Sequence, residues 1–402
     1  MHIIEAFYPL DVFRAMFISA VALMLLKRTG VIHSYLHPMT PAYFQVTFTL
    51  GLLAITDLPF GHVVSILVFF LIVQQVLTKF AARMNSMANS AKNTASWERA
   101  IPYIIALSVA VNAYLAYNKG LLIFAEEGVK ARQEFYQGWG IFQRLNVVFS
   151  VVLAAHWARA FVQGNGLKPT NILLLFWTCF VILSLGSKAG LLALLTSVGA
   201  AMYFSSFRIS IGRISAITLV GAASVFAMFY AIFGIDYVDQ FTLRFMAFAD
   251  GPFYYFNFEN PIRVSFSYPI QQLLVALRIQ PALAEPSLGP AINLVQFNFN
   301  SDIYGPNPQI YVDSTALFGS LYFFYYVILA LVISTIIRSV RSVYDLCLYA
   351  TVAAPMLVDI QLAFSNVFNL GLALFLKLAF GDRFFLQHFP AEKIDAHYIS
   401  RV

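Results

Sequence analysis

Apolar runs long enough to cross a bilayer follow one another along nearly the whole chain, and the short connections between them carry most of its basic residues. Inside lipid every backbone N–H and C=O must be satisfied within its own segment, which leaves only helices or a closed barrel. Barrel strands are alternating segments of roughly ten residues, and the runs here are continuous and longer, so the chain is expected to be an all-α, polytopic helical bundle. Spans of roughly seventeen to twenty-five apolar residues fall near 6–26, 41–57, 61–80, 100–118, 141–163, 169–186, 188–205, 212–234, 314–337, 343–364 and 366–381. That makes about eleven spans, forming a single integral membrane domain over residues 1–402.

Composition closes off the soluble alternatives. Of 402 residues, 60% are hydrophobic and 11% charged, against roughly 25% charged in an ordinary soluble domain. The net charge of +6 comes from basic residues scattered through short connections, not from the stripe or run that nucleic acid requires. Cys179 and Cys347 both sit in apolar runs, so neither a disulfide framework nor a cysteine metal site is expected. The first apolar run lacks a basic leader and a small-residue cleavage site, and is expected to stay as an anchor.

Orientation follows from counting Lys and Arg in the connections. With the amino terminus outside, fifteen basic residues lie inside, from Lys27 and Arg28 to Arg383, Lys393 and Arg401, and seven lie outside. The carboxyl terminus is then cytoplasmic. Two outer segments exceed ordinary connections: 119–140, and 235–313, about seventy-eight residues and long enough to suggest function. Within the second, residues 267–279 show helical spacing but are too short to span, which predicts an interfacial or re-entrant helix.

Cations near a membrane are costly and tend to mark function, so the outer basic residues are the first candidates. In EEGVKARQEFYQGWG, Lys130 and Arg132 stand beside Glu134, Tyr136 and Trp139. This mixture suits bidentate contacts to a diphosphate and stacking on sugar rings, or equally a solvated loop with internal ion pairs. In TLRFMAFADGPFYY, Arg244 precedes Asp250, Tyr254 and Tyr255; a snorkelling Arg in an aromatic belt is the alternative. Lys188 in LGSKAG sits at an outer turn between glycines, where it meets an anionic head group or simply closes a hairpin. Arg263 and Arg278 are the remaining outer candidates, either of which also suits a phospholipid contact. The seven histidines show no ligand spacing, and His156, inside a run, reads as a core residue. No metalloprotease, P-loop, hydrolase-elbow or dinucleotide motif is present.

Taken together, ARQEFYQGWG in an outer segment, LGSKAG opening a helix, LRFMAFADG opening the long outer segment, and GPNPQIYVDSTALFGSLY leading into the next span resemble the Wzy-type O-antigen or capsule repeat-unit polymerases. The resemblance implies a GT-C-like glycosyltransferase of the bacterial inner membrane, acting at the periplasmic face on undecaprenyl-diphosphate-linked oligosaccharides. It implies no nucleotide sugar, cofactor or essential metal. Its implied partners are membrane lipid, a flippase and a chain-length regulator, in the biosynthesis of lipopolysaccharide or capsule. Under it, Arg132, Arg244 and Lys188 stabilise the leaving diphosphate. A carboxylate, Asp250 or Glu259 first, with Asp313 or Glu134 as alternatives, takes the acceptor's proton, since neither outer segment holds a His. Substrate contacts fall to Lys130, Tyr136, Trp139, Tyr254, Tyr255, Arg263, Arg278 and Asp313.

Two other readings compete. An O-antigen ligase shares the plan but is expected to place a His in the long outer segment. A transporter or flippase of lipid-linked saccharides draws on the charged residues inside spans, namely Asp11, Arg14, Arg144, Asp359 and Lys377, although no repeat symmetry accompanies them. The outer-site reading stands on the topology. Reporter fusions after residues 90 and 210 are therefore predicted to report cytoplasm, and fusions near 130 and 290 periplasm; the inverse pattern would remove the outer site altogether.

Overall fold

A computed structural model of the chain describes residues 9–28, 39–55, 91–120, 135, 140–184, 189–204, 249–256, 262–268, 270–271, 274, 279, 288–298, 309–338, 340–358 and 360–381. All regular structure among the described residues is helical. Among the described residues three helices are long and apolar enough to cross a membrane, Thr94–Lys119, Gly140–Val162 and Gln309–Ile333, and shorter apolar helices cover Pro169–Ser184, Val343–Leu357 and Asn366–Gly381. The spans expected over 61–80 and 212–234 lie outside the described residues.

The chain forms two compact units. The first comprises Met1–Ser86, Met202–Val340 and Tyr349–Val367, and the second Met87–Ala201, Arg341–Leu348 and Phe368–Val402.

In the first unit, α1 (Pro9–Arg28) packs along α2 (Thr40–Ile55). Gly51 permits the approach: a Cβ there would lie 2.9 Å from the Ala15 Cα. Small residues at such a seam let backbones meet closely where no hydrophobic force drives helices together. Hydroxyls within the pair are spent on their own backbone, Ser19 on Ala15 O at 2.7 Å and Thr47 on Tyr43 O at 2.9 Å, the usual fate of Ser and Thr inside helices.

The second unit contains α3 (Ala91–Lys119), α4 (Gly140–Val162) and α5 (Pro169–Ser184), with most of α6 (Ala189–Phe204). Its apolar helices are joined by buried amides. Asn112 Nδ2 donates to Asn146 Oδ1 at 2.9 Å, Asn146 Nδ2 returns a bond to Asn112 Oδ1 at 3.2 Å, and Ser184 Oγ adds a third contact at 3.1 Å. Nearby, Trp177 Nε1 donates to Ser108 Oγ at 2.7 Å.

Helix α3 starts nine residues before the expected 100 because its polar first turns find partners: Trp97 Nε1 reaches Asp345 Oδ1 at 3.0 Å, and Glu98 pairs with Arg159. Asp345 also accepts from Arg341 N at 3.0 Å, while its own N–H meets Ser342 Oγ at 3.2 Å. Together these cap the start of α11 (Val343–Ala353), Ser342 accepting from the third residue of the helix and Asp345 reaching back to the N–H that precedes the cap. His156 Nδ1 lies 2.7 Å from the Tyr344 hydroxyl.

The elements named α7 to α10 build the candidate site: α7 (Asp250–Phe256), α8 (Leu288–Phe297), α9 (Gln309–Phe318) and α10 (Tyr322–Arg338). Three boundaries differ from expectation. The span expected over 314–337 begins at Gln309, since Gln309 and Ser314 find buried partners in Thr49 and Tyr326. It is also interrupted at Gly319, whose φ of +60° ends α9 in the left-handed conformation glycine tolerates. The break expected near Ser365 lies instead at Pro355, which opens a 3₁₀ turn over Pro355–Leu357. Proline cannot continue the preceding helical bonding, so α12 (Ile360–Leu376) runs unbroken through Ser365 to a π-helical turn, Lys377–Gly381.

The predicted helix at 267–279 is described only in part: Gln271 N meets Ser267 O at 2.8 Å, and Ile279 N meets Leu274 O at 2.9 Å.

The glycines give a contrast in stability. Gly51→Leu is expected to cost about 1–3 kcal/mol by overpacking. Gly371→Ala, whose Cβ would meet nothing within 4 Å, is expected to gain up to ~1 kcal/mol of helix propensity. Thermal unfolding in detergent reads both; a Gly51→Leu protein as stable as wild type would contradict the close α1–α2 seam.

Candidate functional site

Of the residues assigned to the polymerase site, five fall in the described structure, and all five belong to the first unit: Asp250, Tyr254, Tyr255, Arg263 and Asp313. Lys130, Arg132, Tyr136, Trp139, Lys188, Arg244, Glu259 and Arg278 lie outside the described residues, as does Glu134.

Helix α7 begins where Ala249 O accepts the Phe253 N–H at 2.9 Å, and it packs on both α8 and α9. This packing buries its first-turn acid: Asp250 is 2% exposed, and its Oδ1 has no hydrogen-bond partner among the described residues. A charged carboxylate so placed would carry an uncompensated desolvation cost, and burial pushes the Asp250 carboxyl up to about 8. Tyr254 and Tyr255 follow on the same helix, both buried. The Tyr255 hydroxyl donates to Ile262 O at 2.7 Å. Burial pushes its phenol up to about 12, with the Arg263 guanidinium acting in the opposite sense and Asp313 adding to the rise.

The stretch after Ile262 lies against the carboxyl end of α9. Val264 N–H donates to Ala316 O at 3.2 Å, and Arg263 donates to Thr315 O, with its guanidinium over Gly319. A cation at the end of a helix meets carbonyls with no partner within that helix and the negative end of the helix dipole. Arg263 therefore positions α9.

Asp313 is the centre of this arrangement. It sits in α9, 2% exposed, within electrostatic reach of Tyr255, Tyr325 and Tyr326. Its helix is pinned at one end by Gln309, whose Nε2 donates to Thr49 Oγ1 at 3.0 Å, and by Tyr311, whose hydroxyl points to Val46 O at 3.4 Å. Gln309 is held at φ +55°, a conformation a non-glycine side chain rarely adopts without compensation. One turn on, Ser314 Oγ meets the Tyr326 hydroxyl at 3.0 Å.

Beside Asp313 lies a cavity of about 260 Å³, bordered also by Tyr268 and Tyr325, whose exposed lining is apolar. Tyr268 accepts the Leu288 N–H at 3.2 Å. Tyr325 is 9% exposed, and its buried hydroxyl has no hydrogen-bond partner among the described residues.

Sequence reasoning missed Tyr268, Tyr325, Tyr326 and Gln309. The run YFFYYV reads as lipid-facing helix, yet Tyr311, Ser314, Phe318, Tyr322 and Tyr325 recur at three- and four-residue steps, the spacing of one helix face. That stripe was the available signal. Among the described residues no group of three or more His, Cys, Asp and Glu side chains is placed to hold a metal ion.

No protein-family model, curated protein or solved structure matches the chain.

Asp250 supplies a direct test of this environment. Its carboxyl titrates near 8 when folded against 3.8 as the ordinary value, so between those values only the folded state keeps the proton. Stability should then fall as pH rises from about 4 to about 8, at up to ~1.4 kcal/mol per unit. Asp250→Asn, a neutral isostere, is expected to flatten unfolding temperature between pH 5 and 8; equal slopes in both proteins would show that Asp250 is charged and solvated.

Proposed function

We propose that this chain is a membrane-embedded glycosyltransferase of the repeat-unit polymerase type, extending an undecaprenyl-diphosphate-linked oligosaccharide at the periplasmic face of the bacterial inner membrane. The observation that carries the reading is a convergence. Asp250, Tyr254 and Tyr255, from the segment read as outer, lie on α7, which packs against α9; α9 carries Asp313 to the edge of an apolar cavity, and Arg263 holds the end of α9. A buried carboxyl held protonated, Asp250, on a helix packed against the one that carries a second buried acid, Asp313, is what acid–base chemistry on a sugar needs.

In the proposed reaction an acceptor-sugar hydroxyl attacks the anomeric carbon of the donor chain. A new glycosidic C–O bond forms, the bond from that carbon to the diphosphate oxygen breaks, and the hydroxyl proton passes to the Asp313 carboxylate. Polyprenyl diphosphate leaves with its negative charge. Asp250, neutral near pH 7, donates a hydrogen bond to a sugar oxygen. Lys130, Arg132, Lys188 and Arg244 meet the leaving diphosphate, where a guanidinium fork offers bidentate contact. Arg263 takes no part in that grip, being committed to the end of α9.

The transporter reading has less support. Arg14 pairs with Asp11 one turn away on its own helix at 3.2 Å, and the Lys377 amine lies 5.6 Å from the centre of the Trp97 ring. These cations have local partners.

Purified protein supplied with a lipid-diphosphate-linked repeat unit is expected to form polymer without nucleotide and in the presence of EDTA. Asp313→Asn should lower the rate by roughly two orders of magnitude or more. Arg132→Ala and Arg244→Ala should each do likewise, with Lys at either position restoring only part of it. Arg208→Ala, on the opposite side by topology, should leave turnover near wild type. Long polymer from all three outer variants, at normal expression, would overturn the proposal.

A further inference from the structure

The acid assigned as the base is sealed. Asp313 is 2% exposed, and the exposed lining of the cavity beside it is apolar. A general base must come within about 2.6–3.2 Å of the proton it takes, so an acceptor hydroxyl reaches Asp313 only after part of its cover moves.

The parts of that cover differ in firmness. Helix α9 is pinned by Gln309 and Tyr311, and α10 belongs to a helix long enough to cross the membrane. Residues 262–267, by contrast, lie in no helix, and Arg263, Ser265, Phe266 and Ser267 are exposed. The far end of this stretch is rooted, since Tyr268 is buried and its hydroxyl accepts the Leu288 N–H at 3.2 Å. Its near end is latched to α7 and α9. There the Tyr255 hydroxyl donates to Ile262 O at 2.7 Å, Arg263 Nη1 to Thr315 O at 2.5 Å, and Val264 N–H to Ala316 O at 3.2 Å. Between root and latch, Phe266 stands edge-on to Phe318 at 5.2 Å, and both border the cavity with Asp313. Irregular, half-exposed segments open at lower cost than packed helices.

Resting on the polymerase reading, we infer that residues 262–268 form a strap over Asp313, rooted at Tyr268 and latched by Arg263, and that the acceptor sugar enters when the latch releases Thr315 O. Phe266 then leaves Phe318 and opens the Asp313 side of α9 to water. The helix stays pinned at Gln309 and Tyr311. Closure restores the Arg263 clasp on its carboxyl end, excludes water and returns Asp313 to fixed geometry for the proton transfer.

Leu317 borders the same cavity one turn after Asp313 and is 9% exposed, so Leu317→Cys reports water reaching that face. The purified full chain would be treated with a charged methanethiosulfonate, with peptide mapping to separate the new thiol from Cys179 and Cys347. Arg263→Gln is expected to speed its modification by about tenfold or more, the effect of losing one charge-assisted hydrogen bond. Arg263→Lys, which keeps a donor for Thr315 O, should fall between, and Tyr255→Phe should also speed it. Leu52→Cys, buried on α2 of the same unit, should stay unreactive throughout. In the opposite direction, a disulfide between Val264→Cys and Ala316→Cys, confirmed by mass, should slow polymerisation by about tenfold or more, and a reductant should restore it.

Equal modification rates with Arg263 and with Arg263→Gln would overturn the inference, as would a rise at Leu52→Cys matching that at Leu317→Cys, or full turnover with the disulfide intact. Modification needs no turnover, so the two claims separate. Polymer formation without latch-dependent modification strikes the strap alone, and latch-dependent modification in a chain that forms no polymer strikes the polymerase reading alone.

Discussion

A polar side chain inside an apolar helical protein costs up to several kcal/mol unless a partner meets it, and that constraint governs where the described helices run and where they stop. Asn112 and Asn146 satisfy each other across the seam between α3 and α4. Trp97 and the Ser342–Asp345 cap bring an indole donor and a helix start to one carboxylate. Gln309 extends α9 five residues before its apolar run because Thr49 is there to receive it. In each case a polar residue that would end a span by composition lies inside a helix because its bond is made.

Against that pattern stand a few exceptions among the described residues. Two of them, Asp250 Oδ1 and the Tyr325 hydroxyl, are buried in the first unit without a hydrogen-bond partner among the described residues; the Thr40 hydroxyl and the Trp157 indole N–H are others. Native proteins retain few such groups, and those they retain commonly serve a ligand or a chemical step. The surrounding structure is correspondingly firm. Arg263 holds one end of α9, while Thr49 and Val46 hold the other, so Asp313 sits on a helix fixed at both ends, and fixed geometry is what an acid–base group needs.

Much of this was legible in the sequence. The long apolar runs announced helices, and the ends of α4, α5 and α6 fall within two residues of expectation. Asp250, Tyr254, Tyr255, Arg263 and Asp313 were picked out by charge and aromatic content in an outer segment. What composition could not supply was pairing at a distance. The start of α9 depends on Thr49, two hundred and sixty positions away, and the start of α3 on Asp345 and Arg159. The role of Arg263 changed for the same reason. As an isolated outer cation it read as a substrate contact, and only its position over Gly319 and beside Thr315 O shows that it clasps a helix end. Tyr325 was hidden by its neighbours, since a tyrosine within YFFYYV carries no mark of facing inward.

The central claim is that the reacting sugar meets the chain at α7 and α9. Photo-crosslinking tests it most directly, using a lipid-diphosphate-linked repeat unit with a diazirine on its acceptor-end sugar, followed by peptide mapping. The account predicts adducts on residues 250–256 and 309–318, lost on competition with unlabelled substrate. Competable adducts confined to 91–119 and 140–162 would contradict it, by placing the sugar on helices that hold none of the residues assigned to the chemistry.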